Sequence, residues 1–300
     1  MNPHLSANSF FNRNLSILIS IGLYLIILLI SIRLYSSLSY LTEPYVIFYL
    51  NLIASSLFFF VGTLFRNASL SDPYWGLFPI IVSTHWYLSQ MNIEFLSFHT
   101  LVFSTICLWS VRLSLQCYNR WAGLTHEDWR YEKIRKKTRL WYPLVNWIGI
   151  HLCRNFILFF LVIPLYSFFQ TDFTQNPGNE DYFAFYLMAV GLIIEAIADF
   201  QLSRFRRKNL DFSDTFLQSG LWFYSRHPNY FGEVLFWFGI FLLGWNNSWQ
   251  HLYLIAGFSL LCFHFIFIAI PLMEKRLVVK KRNYAQWINK TSPLIFWLKK

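Results

Sequence analysis

Apolar residues run along this chain in blocks of about twenty, separated by short polar stretches. That block length carries a helix across a bilayer. Eight blocks stand out, at about 15–37, 45–65, 74–91, 95–116, 144–169, 182–201, 229–247 and 251–272. The third is short and rich in Pro, His and Trp; the fifth carries Arg154 and Pro164, which predict a kink or break. The first block is too long for a signal-peptide core and lacks a small-residue cleavage site, so it reads as a retained span. The pattern predicts an all-α, polytopic membrane helix bundle of about eight transmembrane helices.

The polar stretches set an orientation. Arg120, Arg130, Lys133, Arg135, Lys136, Lys137 and Arg139 separate blocks four and five; Arg204, Arg206, Arg207 and Lys208 separate six and seven; Lys275, Arg276, Lys280 and further lysines follow block eight. The alternate stretches, 38–44, 91–94, 171–181 and 246–250, hold no Lys or Arg. With eight spans all the basic loops fall on one side, which predicts cytoplasmic termini.

Composition sharpens this reading. The 300 residues are 56% hydrophobic and 13% charged, against about 25% charged in an average soluble domain. The net charge of +10 sits in the short loops and predicts topology rather than nucleic-acid binding. Cys107, Cys117, Cys153 and Cys262 have no CxxC spacing, and the histidines have no HExxH or i,i+4 pair, so no metal site or disulfide framework is expected. A P-loop, a Rossmann fingerprint and GxSxG are absent.

Against this apolar background the polar positions inside the blocks stand out. Arg112, Arg154, Glu195, Asp199 and Glu233 lie within spans, all in the half facing the basic loops. A charge at a helix centre costs about 2.5–3.5 kcal/mol on insertion scales. Such groups either snorkel and pair at the interface or line a polar cavity, where arginines fork onto phosphate or carboxylate. Arg226, His227, Asn229, Tyr230 and Glu233 crowd the opening of the seventh block. Together these positions predict a polar ligand taken from the cytosolic side.

The segment Ser219-Gly-Leu-Trp222 with Arg226-His-Pro-Asn-Tyr-Phe-Gly-Glu233 resembles the C-terminal signature of the steroid 5-alpha-reductase superfamily, nearest its bacterial branch. Met273-Glu-Lys-Arg-Leu277, Tyr284-Ala-Gln-Trp287 and Thr291-Ser-Pro-Leu-Ile-Phe296 continue the likeness. So do, more loosely, Ser71-Asp-Pro-Tyr-Trp75, Leu108-Trp-Ser-Val-Arg-Leu113 and His126-Glu-Asp-Trp-Arg-Tyr131. The likeness covers about 70–298, which divides the chain into N-terminal transmembrane helices over 1–68 and a reductase-like region over 69–300. Isoprenylcysteine carboxyl methyltransferases and phospholipid methyltransferases share a similar RHPxYxG element. They typically carry two adjacent acids downstream, where this chain has Glu274 alone.

The resemblance implies an integral-membrane reductase of a carbon–carbon double bond in a lipid or sterol-like substrate, using NADPH and, in the bacterial branch, placed in the inner membrane. It implies cofactor contacts from Asp199, Arg206, Arg226, Asn229, Tyr230, Glu233 and Tyr284; the intramembrane Arg112, Arg154 and Glu195, with His227 and Glu274 beside the same segment, complete the candidate cofactor-binding set. In steroid reductases a glutamate and a tyrosine polarise the conjugated carbonyl. The tyrosine's place here resembles Trp109, the glutamate's resembles Asp72, and Tyr74 or Tyr131 stand as substitutes. Tyr74 equally suits an interfacial aromatic belt. The methyltransferase likeness implies S-adenosylmethionine instead, and a non-catalytic lipid-binding protein is the third reading.

Overall fold

In the computed structural model, residues 7–89, 97–171, 177–208, 215–248 and 252–296 are described, with side chains from residue 13 onward. The predicted loop residues 91–94 and 249–250 lie outside them. The described residues form helices joined by turns, with no strand and one isolated bridge between Ser225 and Ser292.

Six helical runs among the described residues are long and apolar enough to cross a membrane: Arg13–Ser37, Tyr45–Leu64, Phe98–Arg120, Trp129–Phe169, Asn179–Lys208 and Leu254–Lys280. They correspond to six of the eight predicted blocks. The block at 74–91 becomes a helix of 15 residues, Tyr74–Leu88, and that at 229–247 becomes Pro228–Ser248, 21 residues whose first turns carry Asn229 and Glu233. The first run leaves Leu18 and Leu29 each 65% exposed, an apolar face suited to lipid rather than water.

Two compact units emerge from chain contacts, Asn2–Tyr166 and Ser167–Lys300. In the first, α1 (Ala7–Ser37), α2 (Tyr45–Leu64), α3 (Tyr74–Leu88) and α4 (Phe98–Arg120) precede a short basic helix, α5 (Trp129–Thr138). Next come α6 (Tyr142–Val145), a wide π turn over Asn146–Leu152, and the first part of α7 (Cys153–Phe169). The fifth block carries this π turn ahead of Arg154, and Pro164, where a kink or break is expected, lies inside α7. Near the start of α2, Glu43 accepts hydrogen bonds from Tyr35, His85 (2.8 Å) and Trp86 (2.7 Å), clasping α1 and α3 to the chain entering α2.

The second unit holds α8 (Asn179–Lys208), α9 (Pro228–Ser248), α10 (Leu254–Phe263), α11 (Ile270–Lys280) and α12 (Tyr284–Ile288), with a second π turn at His264–Ala269. Two basic stretches read as loops are helical. Arg130–Arg135 lie in α5, and Arg206, Arg207 and Lys208 form the last turn of α8. Arg and Lys are good helix formers, and cations complement the negative end of the helix dipole.

α8 and α9 touch backbone to backbone. A Cβ on Gly191 would lie 2.5 Å from the Phe236 amide nitrogen; one on Gly232 would lie 2.6 Å from the Glu195 amide nitrogen and from the Gly191 carbonyl. Only glycine permits this approach, and it brings Glu195 and Asp199 of α8 alongside the first turns of α9.

Candidate functional site

Each unit gathers one group of the predicted residues. In the N-terminal unit the group forms where a 3-10 turn, Ala68–Ser71, meets the entry to α5. The Asn67 side chain caps that turn at Ser69 (3.0 Å) and donates to the carbonyls of Leu124 (2.8 Å) and His126 (3.1 Å). Ser69 Oγ accepts from the Asp128 amide (2.7 Å), and Glu127 accepts from the Ala68 amide (2.8 Å) and from Arg135 (2.9 Å). Asp128 in turn caps α5 by accepting from the Arg130 amide (2.9 Å). This stitching fixes the side chains that follow on either strand of the loop, Asp72 on one and Tyr131 on the other.

Tyr131 Oη donates to Asp72 Oδ1 at 2.6 Å. Arg154 Nη1, from α7, donates to the same oxygen at 2.6 Å and to Tyr131 Oη at 3.1 Å, while Nη2 donates to the Ser71 carbonyl at 3.0 Å. Arg130 stands 3.8 Å from Asp72 Oδ2. Asp72 thus receives a phenol and a guanidinium on one oxygen and faces a second guanidinium at the other. The group therefore presents a phenol oriented by a carboxylate and supported by a cation.

Three predicted residues of this unit have other settings. Tyr74 is buried; its hydroxyl donates to Asn51 Oδ1 at 3.2 Å, and its ring lies 5.1 Å from Phe58. It lines an apolar cavity of about 80 Å³ together with Tyr24, Leu50, Asn51 and Phe78. Arg112 is half-buried on α4, and Trp109, a turn earlier, is fully buried. Arg154, expected at a cofactor, is engaged with Asp72.

In the C-terminal unit the Arg-His-Pro-Asn-Tyr segment is pinned by the tail. The Arg226 amide donates to the Ser292 carbonyl (2.9 Å) and Ser225 Oγ to the Leu294 carbonyl (2.8 Å). Arg226 Nη1 donates to the Thr291 carbonyl (2.8 Å) and Nε lies 2.7 Å from Glu274 Oε1, which also stands 3.3 Å from His227 Nε2. Arg226 and Glu274 thus hold the tail against the start of α9. Tyr284 is buried against the rings of Phe216 and Trp287, at 5.0 and 5.5 Å, and its hydroxyl pKa is pushed up by burial and by nearby Glu274.

On the other side of that segment, His227, Tyr230 and Phe265 stack in a ladder at 5.3 and 4.5 Å. Asn229 Nδ2 donates to Asp199 Oδ1 at 3.4 Å, and Asn229 Oδ1 is shielded from solvent with no hydrogen-bonding partner. Glu195, Asp199 and Glu233 are all buried on α8 and α9, and Arg206 is exposed at the end of α8. An orphaned amide oxygen, three carboxylates and a stacked aromatic face suit the hydroxyl and amide groups of a nucleoside. Arg226, spent on Glu274 and the tail carbonyls, is not placed to serve a phosphate.

Ser71, Arg130, Asn51 and Gly191 belong to this chemistry and were not singled out from sequence. The buried stripe of α8 offered a signal: the small residues Ala184, Gly191 and Ala198 alternate at threes and fours with Met188 and Glu195. Among the described residues there is no group of His, Cys, Asp and Glu able to hold a metal.

Comparison with known proteins supplies a family and no activity. Residues 58–291 match the family described as protein of unknown function DUF1295. A protein of Schizosaccharomyces pombe, described as uncharacterised, is 26% identical over 227 residues, covering 68% of this chain and 66% of that protein. No solved structure matches. The family match spans both side-chain groups and leaves out α1, so the chain belongs to DUF1295, a family of the steroid 5-alpha-reductase-like group.

Proposed function

We propose that the protein is an NADPH-dependent reductase of an activated carbon–carbon double bond in a lipid or sterol-like molecule. The observation that carries this reading is the Tyr131–Asp72–Arg154 group. Reduction of a conjugated carbonyl compound needs a hydrogen-bond donor at the carbonyl oxygen, where negative charge develops. Tyr131 would serve as that donor by turning its hydroxyl, which donates to Asp72 here, onto the carbonyl oxygen, while Arg154 stays with the carboxylate.

The cofactor is assigned to the C-terminal unit. When bound, a reduced nicotinamide supplies the hydride. Asn229, through its unpaired Oδ1, and the carboxylates of Glu195, Asp199 and Glu233 would hold its amide and hydroxyl groups; Tyr230 would offer a ring face; Arg206, exposed in the last turn of α8, would meet phosphate. Burial in an apolar helix bundle keeps water from these contacts and strengthens them. The lipid substrate would come from the bilayer, where it is already concentrated.

One observation favours a second reading. Arg226, engaged by Glu274 and the tail carbonyls, suits a ligand without phosphate, and S-adenosylmethionine carries a sulfonium and no phosphate. Thermal unfolding in detergent separates the readings, since a ligand bound to the folded state raises its apparent stability. A midpoint raised by NADPH and not by S-adenosylmethionine, and lost in Asn229→Ala, supports the reductase. The reverse preference selects the methyltransferase. No response to either ligand points to a non-catalytic lipid-binding protein.

A further inference from the structure

The packing of α2 against the start of α7 carries a line of polar side chains that the Tyr131–Asp72–Arg154 group does not use. Asn51 and Ser55 are one turn apart on α2, and Phe59 is one turn further. Asn51 Nδ2 donates to the Asn155 carbonyl at 2.8 Å, and the Phe59 ring lies 5.9 Å from that of His151. The two helices therefore run antiparallel along this seam. Asn51 meets Asn155 at one end, Phe59 meets His151 at the other, and Ser55 lies between. Asn51, Ser55, His151 and Asn155 are each no more than 1% exposed, and Asn146, five residues before His151, is 3% exposed.

Buried polar atoms are normally hydrogen-bonded, to protein or to ordered water. Here five are not bonded to protein: Asn146 Oδ1, His151 Nε2, Ser55 Oγ, Asn155 Oδ1 and Asn155 Nδ2. Neighbouring Ser56, by contrast, turns its hydroxyl onto the Leu52 carbonyl at 2.9 Å. The π turn sets the tautomer of His151. Its Nδ1 lies 3.0 Å from the Asn146 carbonyl and must donate to it, leaving Nε2 with an open lone pair. The seam thus offers three acceptors, one donor and the Ser55 hydroxyl, which can do either, along the stretch of α2 from Asn51 to Phe59, about 12 Å. Its Asn51 end reaches Tyr74 Oη and the apolar cavity. Its other end follows directly on Leu140–Leu144, where the side chains of Leu140 and Leu144 are exposed.

We infer that this seam holds a file of internal water that carries protons between the Asn146 end and Tyr74, a site distinct from the carbonyl-polarising phenol. Buried waters typically make about three hydrogen bonds each, which the unpaired atoms supply. The role rests on the reductase reading. After hydride reaches one carbon of the double bond, the other must gain a proton. The Tyr74 O–H bond breaks as the new C–H bond forms, seam water returns a proton to the phenolate, and bulk water replaces it through the file. His151 Nε2 takes up and releases a proton within the file.

Hydroxyl-radical footprinting tests the water directly, with no cofactor or substrate present, because radiolysis labels side chains beside ordered internal water. Despite their burial, His151 and Tyr74 are expected to be labelled at least tenfold faster than Phe168, which is equally buried and apolar. The labelling of His151 should fall by a similar factor in Ser55→Ala with Asn155→Leu. Wild-type His151 and Tyr74 labelled no faster than Phe168 overturns the inference and leaves the reductase reading standing. Once turnover is measurable, Asn155→Leu is expected to lower kcat about tenfold with KM unmoved and to enlarge the solvent deuterium isotope effect. An unchanged kcat in that variant overturns proton delivery through the seam, again without touching the cofactor assignment.

Discussion

Tyr131 Oη donates to Asp72 Oδ1 across 2.6 Å, although 59 residues separate the two in the chain. Arg154 closes the group from a third element. The two partners of the carboxylate have different tasks, and substitution separates them. Tyr131→Phe keeps the ring and the Asp72–Arg154 pair, so it should leave the unfolding midpoint close to that of the parent while lowering turnover about a hundredfold or more, the usual scale for a lost proton donor. Asp72→Ala strips the half-buried Arg154 of its counter-charge and should destabilise the fold by about 1–3 kcal/mol. Equal destabilisation by the two substitutions would show the group to be purely structural.

The contact between α8 and α9 makes a second prediction. Gly232→Ala places a methyl group about where the Glu195 amide nitrogen and the Gly191 carbonyl already stand. The helices must separate, at a cost on the order of 1–3 kcal/mol for overpacking. Glu195 and Asp199 shift away from Asn229 in the process. Thermal unfolding should show the loss, and ligand affinity should fall with it. Gly22→Ala, at a glycine with open space around it, is the control and should change neither.

Much of this arrangement was legible in the sequence. The block length of the apolar runs located the spanning helices. The Arg226–Glu233 segment marked the start of α9, because no apolar helix tolerates such a cluster without partners. Pairing was not legible. Nothing in the spacing of Asp72, Tyr131 and Arg154 announces that a capped 3-10 turn and a capped basic helix bring them to one oxygen. Arg226 and Arg154 looked like ligands for an anion because both are cations in apolar surroundings. Their partners, Glu274 and Asp72, are far along the chain and close only in space. Glu43 was passed over, since a single acid in a short loop carries no pattern.

Glu43 gives the pH prediction. Burial alone would raise its pKa from the ordinary 4.5, but the hydrogen bonds from His85, Tyr35 and Trp86 outweigh it and hold the carboxyl down to about 2. A depressed folded-state value means the clasp stabilises fully above the unfolded value and is lost as pH falls toward the folded one. The unfolding midpoint of the parent should therefore drop between about pH 5 and pH 3. Glu43→Gln should start lower at neutral pH and show a shallower drop over the same range. Parallel curves for the two proteins would contradict this account of the clasp.

The tail makes a prediction of its own. Glu274 pairs with Arg226 and His227, so Glu274→Gln leaves a buried guanidinium without its anion. The segment 281–296 should then become sensitive to protease under conditions where the parent resists, since its backbone docks on Ser225 and Arg226. Proteolysis followed by mass spectrometry reads the cut sites. A tail that resists equally in both proteins would place its anchorage elsewhere.

The most direct measurement follows the hydrogen itself. Protein in vesicles of extracted membrane lipid is supplied with NADPH deuterated at the transferable position, and the lipids are analysed by mass spectrometry. The account predicts a lipid that has lost a double bond and gained one deuterium from the cofactor, absent with Tyr131→Phe. No deuterium in any lipid, together with transfer of a labelled methyl group from S-adenosylmethionine, would contradict it.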